Sequence, residues 1–561
     1  MSKINYIKIP KNCTINDLLN LFNFHLKTEN FSNLAIKFNK KNKIEGIISL
    51  GDLRRIIIKK KKNLKIDKFL NRSPTLISEN DLNNKLNTLI DKKLKIKNKK
   101  IDQLIIINKS KNIVDIKEIN NIRNNLNYKE ITVIGLGHIG LPLSVHFLKN
   151  FSHVNGYDKD QGKINSLKNL KLNFYEKNLE NPLKRAIKSK KLILSNKLNQ
   201  LNSQIYIICI GSDIENNKIS NYNLITIVKQ VAKKISQNDL IVMRGTVQVG
   251  VCRNLVVPIL EKYSKLKCGV DFFFSYLPER IIEGDAMHEL ENISQIVSGY
   301  SKNCKEKAVE FCSKAFKSLI ELNSIEEGEI IKLASNSYRD LSFAFANDVS
   351  RISSYYGLSG NDLINKANFG YPRNLIAKPS MGVGGFCLPK DPILFSKLFK
   401  SNKNGYSLGE NSRNINQDSI KIVFNKIKKF SNKFFKNKKI NIFIFGITFK
   451  GKPETIDIRN SPSIIVAKKL KKLNFKVKFY DAMYKELKKN KFDFSESLTN
   501  NYKKINQADV IIIANNHELY PKMIEYNLKQ NMSSKKKLIF DCWSLLDKQM
   551  IENLNWHYKN I

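Results

Sequence analysis

Ile131-Thr132-Val133-Ile134-Gly135-Leu136-Gly137-His138-Ile139-Gly140 is the stretch that decides the fold of this chain. An apolar, β-branched run enters three glycines spaced G-x-G-x-x-G, and an apolar pattern at helical spacing follows from Leu141 to Lys149. The spacing predicts a strand, a tight turn and a helix, with the glycines letting a pyrophosphate come close to the helix N–H groups. By itself the motif is weak evidence. Asp158 strengthens it, because it ends the next apolar strand eighteen residues after Gly140. A carboxylate there binds the adenosine ribose hydroxyls and disfavours a 2′-phosphate. The expected cofactor is NAD, with Gly135, Gly137, His138, Ile139, Gly140 and Asp158 around it. Lys163 is near enough in sequence to join them, although a solvated lysine is the plainer reading.

Further strands are expected at Ile205 to Ile210, Leu240 to Met243 and Phe272 to Tyr276. A helical pattern from Glu326 to about Tyr356 is long enough to join two domains. After a lysine-rich segment, Ile440 to Phe445 with Gly446 opens a second α/β unit, whose later strands are expected at Val477 to Tyr480, Val510 to Ala514 and Leu538 to Phe540. The fold class is therefore α/β: two Rossmann-like domains joined by a long central helix and preceded by a small α+β module. The expected domains are 1–124, 129–325, 326–436 and 437–561, the first boundary falling in the Asn-rich stretch 121–127.

The N-terminal module reads as two loosely similar halves, each with a helix-like apolar segment (Leu18 to Phe24; Leu82 to Leu89) and a later strand (Ile44 to Ile48; Leu104 to Ile107). Gly46-Ile47-Ile48-Ser49-Leu50-Gly51-Asp52-Leu53-Arg54-Arg55 resembles the end of a cystathionine-β-synthase-type (CBS) motif. That resemblance implies an adenine nucleotide held by Ser49 and Asp52, with a pseudo-repeat that serves assembly alone as the alternative.

The formal net charge of +47 would ordinarily suggest nucleic acid or an anionic membrane. Here the lysines are scattered among asparagines and isoleucines, with no arginine-rich tail and no basic-aromatic interleaving, so neither partner is expected. The cysteines are dispersed without C-x-x-C pairs or zinc spacing, which points to a reducing cytoplasm and no metal site. The first ten residues lack the apolar core of a signal peptide, and no apolar run reaches membrane-spanning length.

Chemistry concentrates in a few places. Gly384-Gly385-Phe386-Cys387-Leu388-Pro389-Lys390-Asp391 presents a thiol at a glycine turn with a carboxylate four residues on. A helix beginning just past the sulfur would favour the thiolate of a nucleophile. Lys332 and Asn336 share one helix face and could bind an oxyanion or orient a hydroxyl. Glu279 and Glu283 follow a strand, and Thr246 follows another, where it could hold a water.

The order of these motifs, from the glycine turn through Arg244 to Gly250, Pro278 to Gly284, Lys332 with Asn336 and the cysteine turn to Phe449-Lys450 and Asp457 to Pro462, resembles the UDP-glucose/GDP-mannose dehydrogenase family from about Ile131 onward. The resemblance implies oxidation of a nucleotide-sugar C6 alcohol to a carboxylate by two successive NAD. Cys387 would form a thiohemiacetal and then a thioester, with Lys332, Asn336, Asp391, Thr246 and Glu279 managing protons, oxyanion and water. It further implies that Glu283, Lys450 and Arg459 contact the UDP-sugar, that Arg373 reaches a neighbouring subunit's sugar site, and that the protein is a homodimer or larger homo-oligomer. Pro278-Glu279-Arg280-Ile281 and the Arg373 spacing resemble the branch acting on UDP-N-acetyl-hexosamines, with UDP-glucose as the other choice. Gly245, Gly211-Ser212-Asp213 and Phe386 depart from the family's usual residues. A single-step hydroxyacid or sugar-phosphate dehydrogenase, and a non-catalytic nucleotide sensor, are the competing readings.

Overall fold

The computed structural model describes residues 6–25, 34–39, 43–50, 52–53, 56, 64–72, 74, 76–78, 103–108, 110, 112–118, 130–215, 218–401, 407–435, 439–489, 492–530 and 537–561. The helix-like segment 82–89 and the Asn-rich stretch 121–127 lie outside them. Two units, Met1–Asn127 and Tyr128–Ile561, are each described by themselves.

In the first unit one plan is used twice. Strand β1 (Ile7–Lys8), helix α1 (Ile15–His25) and strands β2 (Leu34–Phe38) and β3 (Ile44–Ser49) make a sheet in which β1 runs parallel and β3 antiparallel to β2. Strands β4 (Leu76–Ser78), β5 (Gln103–Ile107) and β6 (Ile113–Glu118) repeat that pairing. The register slips at equivalent points, Lys37/Phe38 and Ile106/Ile107. Each turn is closed by an asparagine: Asn39 Oδ1 accepts from Lys43 N–H and Asn108 Oδ1 from Asn112 N–H, both at 3.0 Å. Leu34, Ile36 and Ile105 from the two sheets bury one another.

Ser49 and Asp52, expected at a ribose and phosphate, are bound to each other. Ser49 Oγ donates to Asp52 Oδ2 (2.7 Å) and accepts from Asp52 N–H (3.1 Å). Thr14 and Asp17 do the same at the start of α1, with distances of 2.7 and 3.2 Å. The hydroxyl-x-x-Asp pattern is thus a reciprocal helix cap at both places, satisfying backbone donors that a helix start leaves open.

The second unit begins with an eight-stranded sheet in the order β16-β15-β14-β13-β10-β7-β8-β9. It contains β7 (Ile131–Ile134), β8 (Val154–Tyr157), β9 (Leu192–Ser195), β10 (Ile205–Ile208), β13 (Leu240–Met243), β14 (Phe273–Tyr276), β15 (Gln295–Gly299) and β16 (Leu319–Glu321); β11 (Asp213–Glu215) and β12 (Lys218–Ser220) form a separate hairpin. All pairs in the large sheet are parallel except β14 with β15. Both faces are covered, so strand residues alternate between two cores: Ile131, Val133, Ile205 and Ile207 enter one, Ile134, Tyr206 and Ile208 the other. Helix α2 (Gly140–Phe147) leaves β7, α3 (Glu180–Lys188) precedes β9, and α4 (Ala286–Asn292) precedes β15.

Helix α5 (Ile325–Tyr355) is capped by Ser324, whose Oγ accepts from Glu327 N–H at 3.3 Å. It packs against α6 (Gly360–Asn368), α7 (Asp391–Ser401) and α8 (Leu408–Phe435). The seam between α5 and α8 is polar and buried. Asp340 accepts from Arg413 (2.6 Å), Ser412 Oγ (2.8 Å) and Asn416 Nδ2 (2.9 Å), while Asn347 joins Asn416 (2.9 Å) and Ser380 N–H (2.8 Å). The chain then forms an all-parallel sheet, β18-β17-β19-β20-β21, from β17 (Asn441–Phe445), β18 (Lys476–Tyr480), β19 (Val510–Ile513), β20 (Lys537–Asp541) and β21 (Trp556–Asn560). Helix α9 (Pro462–Lys471) follows β17.

Candidate active site

Strand order reverses beside β7, which is where an open parallel sheet leaves a crevice for ligand. Gly135 leaves β7 at φ 93°, in the left-handed region. A Cβ on Gly140 would fall 1.9 Å from the Gly135 carbonyl oxygen, whereas one on Gly137 would meet nothing within 4 Å. The turn is therefore closed on its inner side and open at Gly137. Asp158, just past β8, accepts from Leu136 N–H (3.0 Å) and Asp160 N–H (3.1 Å). Lys163 Nζ lies 2.8 Å from the same carboxylate, so this lysine is fixed at the expected ribose position and not loose in solvent. An open cradle at the α2 N-terminus with a carboxylate at the next strand end fits a dinucleotide.

Gly245 explains its own departure from the family pattern, and Gly211 shares the reason for being glycine. A Cβ on Gly211 would stand 2.2 Å from the Thr246 carbonyl oxygen, and one on Gly245 2.2 Å from the Ile210 carbonyl oxygen. The loops after β10 and β13 thus touch backbone to backbone, and Ser212 N–H donates to Thr246 O at 2.8 Å. Thr246 is half-buried at this contact.

Cys387 is exposed in the turn before α7, and its carbonyl accepts from Lys390 N–H (3.0 Å) and Asp391 N–H (2.8 Å). The helix starts at Asp391, later than Pro389 suggests, and the turn offers it a carbonyl. The thiol does not gain the expected acidity. Burial of its surroundings and then the Asp391 charge raise its pKa, against the opposing pull of Lys332, Lys390 and Arg459. Asn336 Nδ2 donates to Asp391 Oδ2 at 2.6 Å, while Asp391 Oδ1 is buried, has no hydrogen-bond partner and lies 3.2 Å from Lys390 Nζ. Lys332 Nζ donates to the Glu279 carbonyl. Lys390, inside the quoted motif but overlooked there, also donates to Ser212 O at 2.9 Å, linking the cysteine turn to the loop after β10.

Glu279 lies beneath the site, paired with Arg244. Its carboxylate is fully buried and committed, Oε2 to Arg244 Nε (3.1 Å) and Oε1 to Ile281 N–H (2.8 Å). Burial pushes its pKa up, but Arg244 and the Ile281 N–H outweigh that and leave it lowered. It anchors the loop after β14 through these two contacts.

Glu283 faces four groups. Its carboxylate accepts from Thr455 Oγ1 and lies 3.5 Å from His138 Nδ1 and 3.8 Å from Arg459, and its carbonyl accepts from Lys450 Nζ at 2.6 Å. Burial and Arg459 lower His138 to about 4, so the imidazole is neutral. Ile139 is half-buried at the α2 N-terminus. Arg459 is held by Asp457 (2.7 Å) and lies 4.9 Å from the Phe386 ring centroid. His138, Glu283 and Asp457 offer ligand atoms within 4.8 Å of one another. With Asp457 bound by Arg459, the triad reads as an ion-pair cluster and not a metal centre. Arg373 is not brought here; it lies exposed after α6, against Tyr371 (4.8 Å).

The cysteine turn is stitched to this cluster through the Gly385 backbone. Gly385 N–H donates to Arg459 O (2.9 Å), Asn460 Nδ2 donates to Gly385 O (3.0 Å), and a Cβ on Gly384 would be 2.7 Å from Asn460 O.

Comparison with known proteins matches residues 129–319, 326–418 and 443–548 to the NAD binding, central and UDP binding domains of the UDP-glucose/GDP-mannose dehydrogenase family. A UDP-N-acetyl-D-mannosamine dehydrogenase of Pyrococcus horikoshii is 28% identical over 420 residues, 73% of this chain and 94% of that protein. Protein CapL of Staphylococcus aureus is 29% identical, covering 76% and 96%. The solved structure of the P. horikoshii UDP-D-ManNAc dehydrogenase superposes with a TM-score of 0.68 at 26% identity, covering 77% of this chain and 99% of that one. A UDP-glucose dehydrogenase from Pyrobaculum islandicum shares the fold, with a TM-score of 0.66 at 20% identity, covering 78% and 98%.

Proposed function

From the premise that the chain belongs to the UDP-glucose/GDP-mannose dehydrogenase family and is an NAD-dependent UDP-sugar dehydrogenase, we propose that it oxidises a UDP-N-acetyl-hexosamine at C6 to the acid through Cys387. The observation that carries this reading is the buried Asp391 Oδ1 without a hydrogen-bond partner, four residues from an exposed thiol in a turn held against the UDP-side loop. NAD, when bound at the glycine turn, accepts the electrons of both oxidations.

Asn336 and Asp391 position the C6 hydroxyl, and Asp391 Oδ1 is the acceptor open to its proton. Lys332, bonded to a carbonyl at rest, supplies positive charge for the oxyanion. The Cys387 thiol adds to the aldehyde carbon and its proton passes to the aldehyde oxygen, giving a thiohemiacetal whose C–H can leave as hydride. Loss of that hydride and the hydroxyl proton gives a thioester. Water then breaks the C–S bond, releasing the acid and restoring the thiol, with Asp391 as the base and Thr246 a candidate water holder. Lys450 and Arg459 suit the diphosphate, once they exchange part of their contact with Glu283 and Asp457 for it. The choice of an N-acetyl-hexosamine rests on the named relatives and on the Pro278 to Ile281 sequence.

Counting NADH per sugar consumed with UDP-N-acetylmannosamine, UDP-N-acetylglucosamine and UDP-glucose should give two for the true substrate. One would favour a single-step dehydrogenase, and none with any sugar would remove the enzymatic reading. Adenine nucleotides acting on the first unit should change the rate in the same assay, and an unchanged rate would end that proposal. A cytoplasmic setting is supported by eight free thiols. Among the described residues no helix is long and apolar enough to cross a membrane.

A homodimer is supported by exposed apolar side chains on α5 and in the segment after α6: Tyr338, Phe345, Ile352, Phe369 and Leu375. Arg373, exposed in the same region, would then serve the partner's sugar site. Arg373→Ala and Cys387→Ala proteins, each inactive, should regain activity when mixed and reassembled, because one site per mixed dimer has both residues. Failure to complement, with mixed dimers demonstrated, would place Arg373 outside the partner's site.

A further inference from the structure

Phe174, Tyr175 and Glu176 are consecutive, and each touches a different part of the site. The Phe174 ring lies 4.5 Å from His138 in the dinucleotide turn. Tyr175 OH reaches Glu454 Oε2 (3.5 Å) on the UDP-side loop, where His517 Nε2 also meets Glu454 at 3.1 Å. Glu176 is 5% exposed, and its two oxygens accept from Gly284 N–H (3.0 Å) and Met287 N–H (3.4 Å). Those donors belong to the turn joining Glu279 and Glu283 to α4. Gly284 stands there at φ 94°, and a Cβ on it would fall 2.2 Å from the Glu454 carbonyl oxygen. The turn is gripped below by Glu176 and covered above by the UDP-side loop.

We infer that Glu176 is a positioning residue for the oxidation, holding the 283–287 backbone so that Glu283 stays in register with His138, Lys450 and Arg459. It touches no reacting atom. Its influence passes through backbone donors of this turn, so a displacement of the carboxylate moves Gly284 against Glu454 and takes Glu283 along. Burying a carboxylate is costly unless such donors meet it.

The charge state follows from the same surroundings. Burial raises Glu176 to about 7, Asp285 adds to the rise, and the N–H groups of Gly284, Ala286 and Met287 oppose it. Lys450 and Tyr175 are the other titratable groups that feel its charge. As pH falls through about 7 the carboxylate takes a proton, one oxygen becomes a donor facing a donor, and the grip on the turn weakens.

The inference rests on the proposed activity, but its test does not depend on turnover alone. Glu176→Gln keeps the shape and one acceptor, and Glu176→Ala removes both. In the full chain the Gln protein should bind NADH normally by fluorescence yet bind UDP several-fold more weakly by calorimetry. Its kcat/KM for the UDP-sugar should fall about 10–100-fold, the scale of a misplacement near 1 Å. The wild-type loss of activity below about pH 7 should be reduced in it. Unchanged UDP affinity and an unchanged pH profile in a folded Gln protein would overturn the inference. Equal losses of NADH and UDP binding with a lowered melting temperature would overturn it too, by assigning Glu176 to general stability. If wild type oxidises no UDP-sugar, the activity reading falls while the UDP-binding comparison still decides this one.

Discussion

Cys387→Ala is expected to stop acid formation, lowering steady-state NADH production by at least about 10³-fold, the scale on which loss of a nucleophile is felt. An aldehyde has no leaving group, and its thiol adduct is what presents a second C–H to NAD. The variant keeps the Asn336–Asp391 pair and Lys332, so a single turnover should still release up to one NADH per site with bound aldehyde. The raised thiol pKa adds a direction in pH. The neutral thiol dominates near pH 7, so alkylation of Cys387 by iodoacetamide should keep accelerating as pH rises past the ordinary thiol value. Two NADH per sugar from the alanine protein would sink the covalent route.

Asp340→Ala should carry the largest stability cost, about 3–5 kcal/mol, because it leaves the Arg413 guanidinium buried without its carboxylate. Ser412 and Asn416 lose acceptors at the same time. Against a total of about 5–15 kcal/mol for an ordinary domain, that is enough to shift the thermal midpoint by many degrees. Differential scanning calorimetry of wild type and variant measures it, and an unchanged midpoint would show that the α5–α8 seam does not depend on its charge. Arg413 NH2 lies 3.5 Å from Val383 O, so the damage should reach the cysteine turn as well.

The parts of this molecule that were legible in sequence are those where local and tertiary signals agree. Gly135 to Gly140, the β17 run and the 31-residue α5 carry strong periodicity, and they fold where expected. Strands such as β9, β15 and β16 were missed, since Ser195, Gln295 and Glu321 break the apolar pattern and only their neighbours in the sheet recruit them. Motif spacing brought Asn336, Asp391, Lys332 and Cys387 into one list, but it could not tell that Glu279 is spent on Arg244. That pairing joins residues 35 apart across adjacent strand ends, beyond any local signal. Glu176, 108 residues from Gly284, was invisible for the same reason. The thiol's acidity was misjudged because helix starts suggest anion binding, while the burial and the neighbouring carboxylate that dominate are properties of the folded site.

The paired hydrogen bonds between Gly385 and Arg459–Asn460, one from main chain to main chain and one from the Asn460 side-chain amide, make the site a ruler. The sulfur hangs from one end and the Arg459 cation proposed for the diphosphate from the other, with two hydrogen bonds at Gly385 fixing the span between them. Such a gauge measures the span from diphosphate to C6. UDP-pentoses, which lack C6, should therefore bind without reacting.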